Sequence, residues 1–244
     1  MNRHYLINFC LFIFLAKMST AASNDSLPNI YHLKVLNHPS EMKASINASE
    51  FNKMVDVKKV IPDIRLELTY TSSENFMHTV LYPPTTTTFL RLPAAQALKK
   101  VQDALRKENL SLKIWDAYRP YSVTLKMWDL IHDDRYVADP SKGSGHNRGI
   151  AVDLTIVSLK DGKELDMGTG FDNFTDSAHQ DYTKLSENIL NNRKLLRNLM
   201  VENGFAIFPT EWWHYYYSEG QFDILDFSFD NLEKIERKQK RNEH

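Results

Sequence analysis

The chain has 244 residues, 42% hydrophobic and 11% aromatic, enough to bury one substantial core. A formal net charge of -1 and a pI near 6.8 exclude the strongly basic balance that a polyanionic partner needs, so nucleic acid is not an expected ligand. Cys10 is the only cysteine, which excludes an internal disulfide framework.

The chain opens with a short basic start, Met1-Asn2-Arg3-His4. An apolar run over residues 5–16 follows, broken by Asn8, and then the small residues Ser19-Thr20-Ala21-Ala22-Ser23. This is the layout of a secretory signal peptide over residues 1–22, and the run is short for a membrane span. The protein is therefore expected to be periplasmic or secreted, with no stable membrane insertion after cleavage; an uncleaved anchor is the alternative. Phe9 before Cys10 does not suit lipidation. Cleavage would remove the one thiol, leaving nitrogen and oxygen as metal donors and excluding a cysteine nucleophile.

Residues 23–54 are polar and weakly periodic and read as a partly ordered lead-in to a domain over 55–230. Val60-Ile61 and the alternation Ile64, Leu66, Leu68, Tyr70 predict extended structure. Thr85-Thr86-Thr87-Thr88 after Pro83-Pro84 reads as a loop. Residues 93–109 predict a helix, with Ala94, Leu98, Val101 and Leu105 on one face and Pro93 near its start. A strand over 112–115, a turn at Asp116-Ala117-Tyr118-Arg119-Pro120 and a helix over 122–131 follow, the helix facing inward through Val123, Met127 and Leu130. Residues 139–149 form a Gly/Ser loop that leads into a strand at 150–157. A third helix spans 186–203 and is closed by Gly204. Residues 205–208 and 213–217 read as closing strands, and 231–244 as a charged tail that frays. The uneven interleaving predicts a single α+β domain with a largely antiparallel central sheet flanked by helices.

Two clusters carry the chemistry. The first is Ser144-Gly145-His146-Asn147-Arg148-Gly149-Ile150-Ala151-Val152-Asp153, the second Glu211-Trp212-Trp213-His214. They offer two imidazoles and a carboxylate for a divalent metal, with a glutamate to work beside it. Asp153 between Val152 and Leu154 is costly in an apolar strand unless it is paired or metal-bound, a salt bridge to Arg148 being the plainer alternative. Glu211 and His214 would face opposite sides of a regular strand, so a turn or bulge is expected near Glu211. Trp212 and Trp213 would wall the site or simply pack the core. Arg119 has a structural alternative as an ion-pair partner for Asp116, and Asp172 as a cap for a local turn.

These two clusters resemble the two signatures of the zinc D,D-peptidases, most closely the D-alanyl-D-alanine dipeptidases of the vancomycin-resistance type. Glu74-Asn75-Phe76, Trp115-Asp116-Ala117-Tyr118-Arg119-Pro120 and Met167-Gly168-Thr169-Gly170-Phe171-Asp172 agree in the same order, so the likeness covers residues 55–229. The resemblance implies a hedgehog-like zinc D,D-peptidase fold and one zinc ion per chain on His146, Asp153 and His214. It implies Glu211 as general base and acid, Arg119 as stabiliser of the oxyanion, Asp172 as holder of the substrate's free amino group, and Ser144 at the substrate-binding edge. The implied reaction is hydrolysis of D-alanyl-D-alanine or a related D-amino-acid dipeptide for cell-wall peptide turnover. The alternatives are a zinc D,D-carboxypeptidase or endopeptidase on longer peptidoglycan peptides, and a zinc-bearing binding module without catalysis. Two places depart from the family pattern. Leu81-Tyr82-Pro83-Pro84 stands where a Gly-Tyr segment is expected, with Tyr82 a loose counterpart, and His179 stands where two adjacent histidines are common.

Overall fold

The computed structural model describes residues 30–242. The signal-peptide segment and Cys10 lie outside the described residues. In chain order the elements are β1 (Val35–Leu36), α1 (Pro39–Ala48), β2 (Met54–Asp56), α2 (Val57–Val60), β3 (Arg65–Leu66), β4 (Phe89–Arg91), α3 (Leu92–Arg106) and β5 (Leu110–Asp116). There follow α4 (Tyr121–Ile131), β6 (Ala151–Ser158), α5 (Glu187–Glu202), β7 (Phe205–Phe208), β8 (Glu211–Tyr217), β9 (Ile224–Leu225) and α6 (Phe229–Asn242).

The central sheet has the order β3-β5-β6-β8-β7 and is antiparallel except for the edge pair β3–β5. The domain is thus α+β, as the sequence suggests. β5 and β6 are buried almost throughout, which is why they lack a clean polar alternation. Helix α3 shows the opposite pattern. Ala94, Leu98, Val101 and Leu105 are fully buried, while Lys99 and Asp103 pair on its outer face. Burying each of these leucines contributes about 2 kcal/mol. Ser186 caps α5 through its side chain, and Gly204 ends that helix with φ +86°.

A second apolar cluster joins Met42, Tyr82, Phe89, Tyr118, Phe227, Phe229 and Leu232. It draws in α1 from the lead-in, which is ordered over that helix, and α6 from the tail, where the structure departs from the expected fraying. The lead-in contains α1, whose Met42 is fully buried and whose N-terminus is closed by Glu41 accepting from the amides of Asn37 and His38. The charged tail does not fray over residues 231–242. It continues α6, because Leu232 and Ile235 seat one helical face, with buried Glu236 beside them on Lys59, while most of the other charges face outward.

Two local readings also change. Val60-Ile61 is not extended: Asp56 caps a helical turn through the Lys58 amide, and Val57 and Ile61 pack at helical spacing. The alternation from Ile64 to Tyr70 buries Ile64, Leu68 and Tyr70, but only Arg65–Leu66 joins the ladder, at a sheet edge, and residues 69–71 turn. In α4 the buried face runs through Val123 and Met127 to Ile131, whereas Leu130 is 60% exposed. Among the described residues, no helix is long and apolar enough to cross a membrane.

Candidate active site

Three neighbouring strands bring the site together. Asp153 on β6 is the cross-strand partner of Asp116 on β5 and of His214 on β8. Directly opposed residues in adjacent strands share a face, so sheet register places these side chains at one level. His146 comes from the loop before β6. That loop turns at Gly149, whose φ is +71° and where an added Cβ would lie 2.6 Å from the Met54 side chain. The positive φ favours glycine, and the Met54 side chain would have to shift for any other residue.

The loop is tied to the segment after β5. Buried Asn147 donates to the Arg119 carbonyl at 2.9 Å and to the Thr124 hydroxyl at 2.8 Å, and the Arg119 amide donates to the His146 carbonyl at 3.2 Å. Ser144 accepts from the His146 amide at 3.1 Å, and its own amide donates to Asn147. His146 Nδ1 lies 2.6 Å from the Ala117 carbonyl. That contact requires a proton on Nδ1 and leaves the Nε2 lone pair facing Asp153 and His214, as metal-ligating histidines require.

His146 Nε2 lies 3.3 Å from His214 Nδ1 and 3.3 Å from Asp153 Oδ2; His214 Nδ1 lies 2.8 Å from Asp153 Oδ1. One donor atom from each of the three residues lies within 4.8 Å of the others. Burial alone would raise the Asp153 pKa, but the two imidazoles outweigh it and hold the carboxyl below its ordinary range. Arg148 is not its partner; that guanidinium donates to the carbonyls of Phe222 and Lys142.

Glu211 stands beside this trio, its carboxylate 3.8 Å from His214 Nδ1 and its side chain 14% exposed. Burial pushes its pKa up to about 7. The expected irregularity is there. In the β7–β8 ladder Ile207 pairs with Tyr215 but Phe208 pairs with Glu211, so β8 bulges and turns Glu211 and His214 to the same side.

Arg119 donates through Nε and Nη2 to Asp116 Oδ2, at 3.0 and 2.7 Å. The structural alternative for Arg119 is therefore real, but it coexists with a place in the cavity wall. Asp116 also accepts from the Tyr82 hydroxyl and the Ala117 amide, both at 2.9 Å. Tyr82 thus supports Asp116 from behind and does not line the cavity. Asp172 has φ 56° and accepts from the Tyr70 hydroxyl at 3.1 and 3.2 Å. Burial, reinforced by the Asp153 charge, raises its pKa well above the ordinary range. The adjacent turn is capped by Asn173, not by Asp172.

Arg119, Ser144, His146, Asp153, Asp172, Glu211 and His214 all line one cavity of about 450 Å³. Trp213 lines it as well. Trp212 faces the core, donating to Thr169 at 2.7 Å and meeting Trp115 edge-on. Sequence reasoning missed Tyr70, which carries the Arg119 guanidinium over its ring at 5.3 Å and holds Asp172 through its hydroxyl. It gave no role to the aromatic lining of Phe174 and Tyr136, which pack with Phe76 of the Glu74-Asn75-Phe76 motif. Tyr70 sits at an inward position of the Ile64–Tyr70 alternation, the one signal that pointed to it.

An α+β domain with two imidazoles and a carboxylate converging in a cavity, and a glutamate held beside them, has the make-up of a metallopeptidase. The sequence profile of the D-ala-D-ala dipeptidases matches residues 50–232, and the chain belongs to that family. The D-alanyl-D-alanine dipeptidase of Escherichia coli K12 is 34% identical over 167 residues, 68% of this chain and 86% of that protein. The dipeptidase of Enterococcus faecium is 36% identical over 94 residues, 38% of this chain and 45% of that protein. Among solved structures, VanYB in complex with D-alanine-D-alanine aligns with a TM-score of 0.38 at 16% identity, over 64% of this chain and 81% of that one.

Proposed function

We propose that the protein is an exported zinc dipeptidase that hydrolyses D-alanyl-D-alanine, or a closely related D-amino-acid dipeptide, to free amino acids in cell-wall peptide turnover. The observation that carries this reading is the placing of Asp172, a recessed carboxylate, in the same cavity as the His146, Asp153 and His214 donors. The name shared by the curated relatives supports the substrate.

The donor set fits zinc. Two neutral imidazoles and one carboxylate are a common catalytic zinc triad, and Nδ1–H of His146 on the Ala117 carbonyl fixes the tautomer such a site needs. Asp116, Asp153, Asp172 and Glu211 surround one guanidinium, an excess of acid that a dication would offset. Bound zinc would polarise the scissile carbonyl and lower the pKa of a coordinated water.

This chain's own groups divide the remaining work. Glu211, with a pKa near 7, takes a proton from the attacking water and passes it to the leaving amine as the C–N bond breaks. Arg119 spends its Nε–H and one Nη2–H on Asp116, which leaves Nη1 and the second Nη2–H for the developing oxyanion. Asp172 pairs with the free ammonium of a dipeptide. A longer peptide places an uncharged amide there and leaves the carboxylate without its partner, which selects against carboxypeptidase or endopeptidase activity.

The test is turnover of D-Ala-D-Ala and of N-acetyl-D-Ala-D-Ala by the zinc-loaded protein, with Glu211→Gln alongside. The free dipeptide should be strongly preferred, and the variant should retain zinc and lose activity. Equal rates on the two substrates would transfer the chain to the carboxypeptidase reading. No turnover with zinc bound would leave a binding module.

A further inference from the structure

The bulge that presents Glu211 creates a backbone problem. Trp212 and Trp213 are paired with neither β6 nor β7, since the β6 ladder runs only from Tyr216 to His214 and the β7 ladder skips from Tyr215 to Glu211. Both tryptophans are buried, and buried carbonyls need partners.

Gln180 supplies one for Trp212 and reaches the neighbouring Glu211 as well. Its Nε2 donates to the Glu211 carbonyl at 3.2 Å and to the Trp212 carbonyl at 3.4 Å. Its own amide donates to the Pro209 carbonyl at 2.9 Å. One residue thus ties together the segment from Pro209 through Glu211 to Trp212. Gln180 is in turn fixed by α5. Arg197 donates to the Gln180 carbonyl at 3.3 Å, while Arg193 reaches the carbonyls of Met167, Ser177 and His179 at 2.7, 2.8 and 3.2 Å. The Arg193 guanidinium is also seated over the Trp212 ring, 5.7 Å from its centroid.

We infer that Gln180 is a positioning residue for catalysis: it braces the β7–β8 bulge and so sets where the Glu211 carboxylate stands beside the metal donors. It does not line the cavity. The inference rests on the dipeptidase reading for its kinetic consequence, but the brace itself does not. Misplacing a proton carrier by about an ångström costs up to roughly a hundredfold in rate, so the effect belongs in kcat.

The test uses the full chain with three substitutions. Gln180→Glu keeps the shape but loses the amide donors and aims an acid at two carbonyls. Gln180→Ala removes the side chain, and Gln180→His restores one N–H. The expected result is a fall of about tenfold or more in kcat on D-Ala-D-Ala for Gln180→Glu and Gln180→Ala, with KM and zinc stoichiometry unchanged and partial recovery in Gln180→His. Amide hydrogen exchange in Gln180→Ala should accelerate over residues 208–213 and not in β5 or β6. An unchanged kcat would overturn the inference, as would a loss shared by KM or zinc content, or exchange that rises throughout the sheet. If the wild-type protein proves inactive on the dipeptide, the functional reading fails separately, and the exchange at residues 208–213 still decides for or against the brace.

Discussion

Replacing Asp172 by Asn preserves the shape of the side chain and removes its charge, and two opposite effects should follow. The carboxyl is recessed, and its hydrogen-bond partner is the Tyr70 hydroxyl. Burial first, then the Asp153 charge, raise its pKa well above the ordinary value. Below an unfolded-state pKa of about 3.9 the group is protonated in both folded and unfolded chains. As pH rises through the interval up to the folded pKa, the unfolded chain releases its proton and the folded chain holds it, so the wild-type protein loses stability with rising pH. Asp172→Asn lacks that loss. Metal-free variant should melt higher at pH 7, by about 1–2 kcal/mol or roughly 2–8 °C for a chain of this length, and the gain should vanish near pH 3. Catalysis should move the other way. Deleting one member of a recessed charge pair costs about 2–5 kcal/mol, or roughly 30- to 5,000-fold in kcat/KM on D-Ala-D-Ala. On N-acetyl-D-Ala-D-Ala the two proteins should differ little, because there is no ammonium to lose. Thermal melts at the two pH values and steady-state rates on the two substrates test both limbs. An unchanged kcat/KM on the free dipeptide, or a lower melting temperature at pH 7, would refute the reasoning.

The other expectations are more local. Arg119→Lys cannot reproduce the fork on Asp116 and still reach the cavity; kcat should fall about 10²- to 10³-fold with zinc content intact, and a KM effect alone would contradict the oxyanion role. Leu232→Ala should cost about 2–5 kcal/mol in denaturant melts, because Leu232 is 1% exposed within the second core. A change within about 0.5 kcal/mol would mean that the C-terminal segment frays as its charge suggests. Chelation should lower the melting temperature, by about 4 kcal/mol of stability when free zinc had stood at a thousand times its Kd. Asp153→Asn should be far less sensitive to the chelator, and equal sensitivity would place the metal elsewhere.

Much of this was legible in the sequence because motif chemistry is local. His146, Asp153, Glu211 and His214 stand out by residue type, and helices α3 and α5 by apolar spacing and their ends. What was not legible depends on register. Nothing in the string Trp115-Asp116 says that Asp116 will lie across from Asp153, or that Asp153 will lie across from His214. Tyr70 and Gln180 owe their places to loops that meet only in the folded chain. The tail misled for a different reason: its charges dominate composition, yet Leu232 and Ile235 suffice to seat one face of a helix that bears Glu236 on Lys59. The short turns at residues 57–60 and 69–71 were masked by β-branched and aromatic residues whose spacing suits a strand equally well.

Asp153, Asp172 and Glu211 line the cavity and Asp116 stands behind it, and environment rather than residue type separates their roles. Asp153 lies between two imidazoles and is held ionised, which suits a metal ligand. Asp116 is fully buried, and burial raises its pKa against the pull of Arg119; its oxygens are spent on Arg119, Tyr82 and the Ala117 amide, which suits a support. Glu211, lifted by burial to about 7, can both take and give a proton near neutrality. Asp172, raised by burial and by the Asp153 charge, is costly to ionise until a cation arrives. A dipeptide with a free ammonium brings that cation, whereas an acylated one does not. Acids driven apart in this way mark out distinct tasks within one site. By this argument selectivity for a free amine is written into the same burial that destabilises the empty protein, so the gain in stability and the loss of dipeptide turnover expected for Asp172→Asn have a single cause.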